Sequence, residues 1–472
     1  MRTPFTALLV STAALQAAKH TPNVIFIMAD DLGYNHTSVY GQKRLQTPNI
    51  DNLAQKGLRF TRAYAGSTVC GPSRSSLMTG LHGGHIPYKA NPSFADLDPD
   101  NITIGEIFKK RGYKTGYFGK WGLGGQDSGI TPNDLGYDQF LGILDQGHGH
   151  RHYPAYIIKN GKKLPINTTG PAGNTSLKRE DRKTHTHDAF TNGALQFIRQ
   201  AGKQTQQPFF CVVSFTLPHT EIIATDDAAN EFINLGWKED YTARTSMHFP
   251  QKKPRSHFAG MIRMVDNSVG AIVKQIEAMN LSKDTLIIFT SDNGGQLKKT
   301  WGRAPSVWFD ANGILRGGKG DLYEGGIRVP MIAYWNGKTP EGKVTDTPCY
   351  FADMLPTFCD VIQTTPPKRT DGTSLLPILL GGKELSTTRS HLFWSNNNRQ
   401  FAVVKGNWKG VKNGKAPIEI YNLSKDPSES KNIAGQHIEM AQEMEKIIER
   451  EAQPDSKKAR PSKNSPRYPH EK

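Results

Sequence analysis

The sequence predicts an α/β fold: a large mixed, mainly parallel sheet flanked by helices, with a smaller C-terminal α+β domain. Three observations predict it. Between about Asn23 and Ile362, short apolar runs alternate with helical patterns, as in a sheet built from crossover units. The strongest of these runs each end in polar residues, where open parallel sheets place their ligands. After the Pro- and Gly-containing stretch Thr364–Gly382, the pattern changes to short strand-like pieces and a terminal helix. A chain of 472 residues has room for more than one domain.

In chain order, residues 1–18 read as a secretory signal, with Arg2 followed by an apolar stretch from Phe5 to Ala18. Leu15 and Gln16 depart from a strict small-x-small cleavage pattern, and a short buried helix is the alternative. No other segment has the unbroken apolar length of a transmembrane helix. Export to a periplasm or the extracellular space is the expectation. Val24–Met28 is the first buried strand. Thr47 then caps a helix that Pro48 opens and Gly57 ends. Thr115–Gly119, Phe209–Phe215 and Thr285–Thr290 read as further strands, and His257–Met279 as a long amphipathic helix. His391–Trp394, Gln400–Val404 and Ile418–Tyr421 are the C-terminal strands, ahead of a helix from Ile438 to Glu451. The expected domains are residues 19–382, which carry the chemistry, and 383–452. Residues 453–472 form a basic, Pro- and Lys-rich tail of disordered composition.

The net charge of +16 would attract polyanions, whether nucleic acid, anionic membrane or sulfated glycan. No nucleic-acid motif is present, and aromatic residues are not interleaved with basic clusters, so no nucleic-acid partner is expected. Four cysteines do not make a disulfide framework in a chain this long. Cys211 lies in an apolar run and reads as packing; Cys349 and Cys359 have the option of pairing.

The polar strand ends carry the chemistry. They are Asp30-Asp31, Lys120, His219 (after Thr216-Leu217-Pro218) and Asp292-Asn293. Each alone would pass for a capped turn; four at equivalent positions point to one site. Asp30, Asp31, Asp292 and Asn293 offer only oxygen ligands, which suits calcium or magnesium better than zinc. In Cys70-Gly-Pro-Ser-Arg-Ser-Ser-Leu-Met-Thr-Gly80, Pro72 suits a first helical turn. Cys70 is expected just ahead of it, where backbone N–H groups favour an anion.

This segment resembles the Cys-x-Pro-Ser-Arg-x-x-x-Leu-Thr-Gly motif of type I sulfatases in the alkaline phosphatase superfamily, with Met78 at the Leu position. Gly112-Tyr113-Lys-Thr115-Gly-Tyr-Phe-Gly119-Lys120-Trp121-Gly122 is similar to a second motif of that family. Leu315-Arg316-Gly-Gly-Lys319-Gly-Asp-Leu-Tyr-Glu324-Gly-Gly-Ile-Arg328 is similar to a third, and Tyr421-Asn-Leu-Ser-Lys-Asp426-Pro to its C-terminal domain. The resemblance implies that a maturation enzyme oxidises Cys70 to formylglycine, and that Asp30, Asp31, Asp292 and Asn293 bind calcium, beside residue 70. Arg74, Lys120 and Lys319 then hold that residue and the sulfate, and His219 is the active-site His. A formylglycine hydrate attacks sulfur through one hydroxyl, and deprotonation of the other expels sulfate.

One position departs from the family. Its common motif ends Gly-Lys-Trp-His, whereas residue 122 is Gly. A branch with the Gly-Lys-Trp-Gly-Leu-Gly form carries a downstream segment resembled by Gln146-Gly-His148-Gly-His150-Arg-His152-Tyr153-Pro154. His150 aligns with the His of that segment and is the expected substitute base. The reading is a secreted sulfatase acting on a sulfated carbohydrate or aryl sulfate. The alternatives are a phosphodiesterase or phosphonate hydrolase of the same superfamily, and a glycan-binding pseudoenzyme.

Overall fold

The structure is a computed structural model that describes residues 21–452, apart from 90, 92–96, 99, 125–129, 168–180, 205–206, 240–242, 246–247, 298–304, 384 and 386–388. Residues 1–18, expected to be a secretory signal, and the basic tail 453–472 lie outside the described residues. Among those described, no helix is long and apolar enough to cross a membrane.

Ten strands form the main sheet: β1 (Asn23–Asp30), β2 (Leu58–Phe60), β3 (Lys114–Lys120), β4 (Gln139–Ile143), β5 (Tyr156–Lys159), β6 (Lys162–Pro165), β7 (Phe209–Pro218), β8 (Thr285–Ser291), β9 (Met331–Tyr334) and β10 (Lys343–Thr345). Their order is β10-β2-β9-β8-β1-β7-β3-β4-β5-β6. The five consecutive strands from β8 to β4 are parallel, and antiparallel pairs flank them on both sides. Every residue of β1 is buried. Because side chains alternate along a strand, Ile25, Ile27 and Ala29 face one layer and Val24, Phe26 and Met28 the other. The helices Thr186–Ala201 and Pro254–Ala278 cover the first face. Cys70–Thr79, Ile104–Lys110 and Met354–Val361 cover the second.

The predicted elements are present with small shifts of boundary. Thr47 is the N-cap of Pro48–Lys56, although its hydroxyl bonds Ser38 and Asp51 rather than the helix backbone. Cys70 is the first residue of its helix rather than the residue ahead of it, and extended Val69 is the N-cap. Pro72 sits third, a place it tolerates because the first-turn N–H groups have no partner in the helix. All four cysteines are free and buried.

Beyond the main sheet, Leu392–Asn396, Gln400–Lys405, Trp408–Asn413 and Glu419–Asn422 form an antiparallel sheet in chain order. The helix Ile438–Glu451 packs Met444, Ile447 and Ile448 on one of its faces. The other face sets Trp394 and Val411 against Tyr64, Ile327 and Tyr350. Trp394 Nε1 donates to the Ala65 carbonyl at 2.8 Å, and Asn396 to Gly320 at 3.1 Å, so this sheet buttresses the loop that carries Lys319.

Candidate active site

The carboxyl ends of β1, β3, β7 and β8 bring their polar residues to one place, against the first turn of Cys70–Thr79. Asp30 Oδ2 accepts from Lys120 Nζ at 2.6 Å, and Asp30 Oδ1 accepts from Cys70 Sγ at 3.3 Å. Lys319 Nζ lies 3.3 Å from the same sulfur and 2.7 Å from Asp31 Oδ1. Arg74 donates from Nε (3.1 Å) and Nη2 (2.8 Å) to Asp292 Oδ2, while Asp292 Oδ1 accepts the Asp31 N–H at 3.1 Å. Asn293 Nδ2 donates to Asp31 Oδ1 at 2.7 Å. Asp31 sits at φ 64°, a left-handed conformation that Asp tolerates and that turns its carboxylate back over the sheet edge.

These groups are buried, Lys319 only in part, and their charges set one another. Burial alone would raise the Asp30 carboxyl, but the Lys120 and Arg74 charges hold it well below its usual range. Burial and the Asp30 charge push Asp292 up to about 7. Cys70 is pushed up to about 12 by burial and then by Asp30, so the unmodified side chain is a neutral thiol and a poor nucleophile.

His219 and His150 form the other wall. Their rings stack with centroids 4.3 Å apart and 18° between planes. His219 Nδ1–H donates to the Thr220 carbonyl at 2.9 Å, and Nε2 lies 3.4 Å from Asp31 Oδ2. Burial, then Lys319, holds His219 well below the usual imidazole value; burial, then His219 and Lys120, does the same for His150. Both rings are therefore neutral at pH 7. His152 Nε2–H donates to the His219 carbonyl at 2.9 Å, and the Glu221 N–H donates to the His150 carbonyl at 3.1 Å, which fastens the two segments together. His148 instead packs edge-on against Tyr156. A cavity of about 140 Å³ opens over Asp31, His150, His219 and Lys319, with Ile222 and Phe258 among its apolar walls.

Every residue anticipated from the sequence is thus in one cluster, with His150 joined through His219. Sequence reasoning missed Ser214, whose hydroxyl accepts from Arg74 Nη1 at 2.5 Å, and Asn91, whose Oδ1 accepts the Gly71 N–H at 2.8 Å. Neither stands in a motif with a chemical signature; only the placement of Arg74 and Gly71 exposes them.

The donor set can hold a metal ion. Asp30, Asp31, Cys70 and His219 bring ligand atoms within 4.8 Å of one another. Asn293 Oδ1 is buried with no hydrogen-bond partner among the described residues, an orphaned acceptor beside three carboxylates.

A buried helix-terminal sulfur between carboxylates and fixed cations, at the carboxyl ends of a parallel sheet, defines an α/β protein with a site for an anionic ligand. Comparison with known proteins narrows this. The family model "Sulfatase" matches residues 22–364, and "N-sulphoglucosamine sulphohydrolase, C-terminal" matches 317–454. Arylsulfatase A of Homo sapiens is 31% identical over 91% of this chain and 86% of its own. N-acetylgalactosamine-6-O-sulfatase of Bacteroides thetaiotaomicron is 30% identical over 91% of this chain and 92% of its own. The crystal structure of Ps i-CgsB in complex with k-i-k-neocarrahexaose superposes with a TM-score of 0.77 at 28% identity, covering 92% of this chain and 94% of that one. The chain belongs to the sulfatase family and is a sulfuric ester hydrolase.

Proposed function

We propose that this sulfatase removes sulfate from a sulfated carbohydrate, with residue 70 in its formylglycine form and a divalent cation at Asp30, Asp31, Asp292 and Asn293. The observation that carries the reading is the meeting of Asp30, Lys319 and the helix N-terminus on the Cys70 sulfur, with Lys120 on Asp30. The cation, calcium or magnesium, supplies positive charge beside the reacting sulfur, and hydrated formylglycine supplies a nucleophilic hydroxyl.

The protein's own groups do the rest. Lys120 and Lys319 face negative charge as it grows on the sulfate oxygens, in a water-poor site where fixed cations act strongly. Arg74, spanning Asp292, Ser214 and the Lys120 carbonyl, fixes the floor of the site and opposes the upward push on the Asp292 carboxyl. His219 is neutral, keeps its Nδ1 proton on Thr220 and turns the unprotonated Nε2 towards the cavity, where it accepts a hydrogen bond from a hydroxyl of the substrate. His150, also neutral and stacked on it, is the base that takes the hydroxyl proton when sulfate is released. The relative named N-acetylgalactosamine-6-O-sulfatase and the neighbour crystallised with k-i-k-neocarrahexaose favour a carbohydrate over a simple aryl sulfate, as does the basic charge. The reading also requires a formylglycine-generating maturation enzyme. The signal-like composition of residues 1–18 supports a periplasmic or extracellular location.

The test is a screen of defined sulfated saccharides, an aryl sulfate and matched phosphate esters for released anion. Sulfate release from a saccharide above all other turnover supports the reading. Faster phosphate release would make it a phosphoesterase, and saccharide binding without release by aldehyde-bearing protein would make it a pseudoenzyme.

A further inference from the structure

The missing side chain at Gly122 leaves a space, and the structure fills it from elsewhere. Gly122 has φ 72°, and a Cβ built there would meet Gln146 Nε2 at 2.7 Å and Arg74 Cδ at 3.3 Å. Gln146 Nε2 donates to the Gly122 carbonyl at 2.9 Å. A carbonyl only accepts, so this bond fixes which end of the amide is nitrogen and turns Oε1 the other way. That oxygen is buried and has no hydrogen-bond partner among the described residues. An acceptor left so has room to take one hydrogen bond from a donor placed beside it. The same amide nitrogen is 3.5 Å from the Cβ position of Gly71, so the group lies against the first turn that begins at Cys70. His150 is not in this space; it stacks on His219 across the cavity.

We infer that Gln146 replaces the side chain absent at Gly122 and that its amide oxygen accepts a hydrogen bond from a hydroxyl of hydrated residue 70. The inference rests on the formylglycine reading above. Hydration adds water across the aldehyde: a C–O bond forms, the C=O π bond breaks, and one water proton ends on the former carbonyl oxygen. The product carries two O–H donors where the aldehyde carries none. An acceptor held at one of them favours the hydrate and sets which hydroxyl faces the sulfate. An amide is no base, so the work is divided: Gln146 holds the hydroxyl and His150 takes the proton.

An aminooxy reagent captures free aldehyde and not its hydrate, so its rate reads the balance directly. Matured wild-type and Gln146→Met proteins, with residue 70 verified by peptide mass, would be labelled side by side. Met keeps the volume and removes the acceptor. Labelling about three- to tenfold faster in Gln146→Met, the ratio one hydrogen bond sets, is the expected result. Its kcat on an aryl sulfate should fall with KM little changed, while His150→Ala should label at the wild-type rate. Wild-type labelling rates in both Gln146→Met and Gln146→Ala would overturn the inference. Active protein with no aldehyde at residue 70 would overturn the formylglycine reading instead.

Discussion

Two clusters of charge are buried in this molecule, and they are built from the same residue types. Around Cys70 lie Asp30, Asp31, Asp292, Arg74, Lys120 and Lys319. Where the C-terminal sheet meets the main domain, Lys409 reaches Glu324 at 2.9 Å and Glu429 at 2.8 Å, and Arg328 pairs with Glu324 at 3.3 Å. The second cluster is closed: Tyr64 and the Glu324 N–H complete its hydrogen bonds. The first opens on a cavity and leaves Asn293 Oδ1 without a hydrogen-bond partner among the described residues; each cluster has one carboxyl pushed up to about 7, Asp292 in the first and Glu429 in the second. Buried charge that satisfies itself joins parts of a fold. Buried charge left incomplete awaits a cation and an anion.

Substitutions that strike the open cluster should therefore remove activity and spare stability. Cys70→Ala is the largest expected effect: no detectable turnover, with an unchanged thermal transition, because the side chain serves chemistry. Next, Asp31→Asn keeps the shape and the left-handed backbone but loses a charged ligand. Its activity should fall by about 10²–10³, as when one preorganised electrostatic group is lost. Metal analysis should find calcium or magnesium in the wild type, and stoichiometric zinc alone would contradict the oxygen-ligand reading. His150→Ala should lower kcat by about 10²–10⁴ with KM little changed if it is the base. A raised KM with kcat intact would make it a substrate contact.

The closed cluster should answer in the opposite sense. Lys409→Ala leaves two carboxylates buried together and should cost about 3–5 kcal/mol of stability, read by denaturant unfolding. The folded fraction should keep near-normal kcat; an equal loss of activity would break the distinction between the two clusters. The smallest effect is that of salt. Raising it should increase KM for a sulfated polysaccharide more than for an aryl sulfate, because exposed long-range attraction is screened.

The same contrast explains what the sequence disclosed. The strands it made legible, β1, β3, β7 and β8, are neighbours in the middle of the sheet. There both faces are covered, and a strand reads as an unbroken apolar run. Strands β2, β5, β6, β9 and β10 are short or exposed and left no such run. Trp408–Asn413 escaped notice because Lys409 points inward where an apolar residue would be expected, and only Glu324 and Glu429, distant in sequence, account for it. At the site, polar strand ends and the Cys70–Gly80 motif were enough to assemble the cluster. What they left out depends on backbone shape: the positive φ of Gly122 and the loop that folds Gln146 over it have no sequence signature.

The most direct measurement is the mass of the peptide containing residue 70, taken from protein fractionated by activity on a sulfate ester. The thiol should be replaced by an aldehyde, in a share that rises in proportion to specific activity. Full activity in a fraction that carries only unmodified Cys70 would contradict the assignment of residue 70 as the nucleophile.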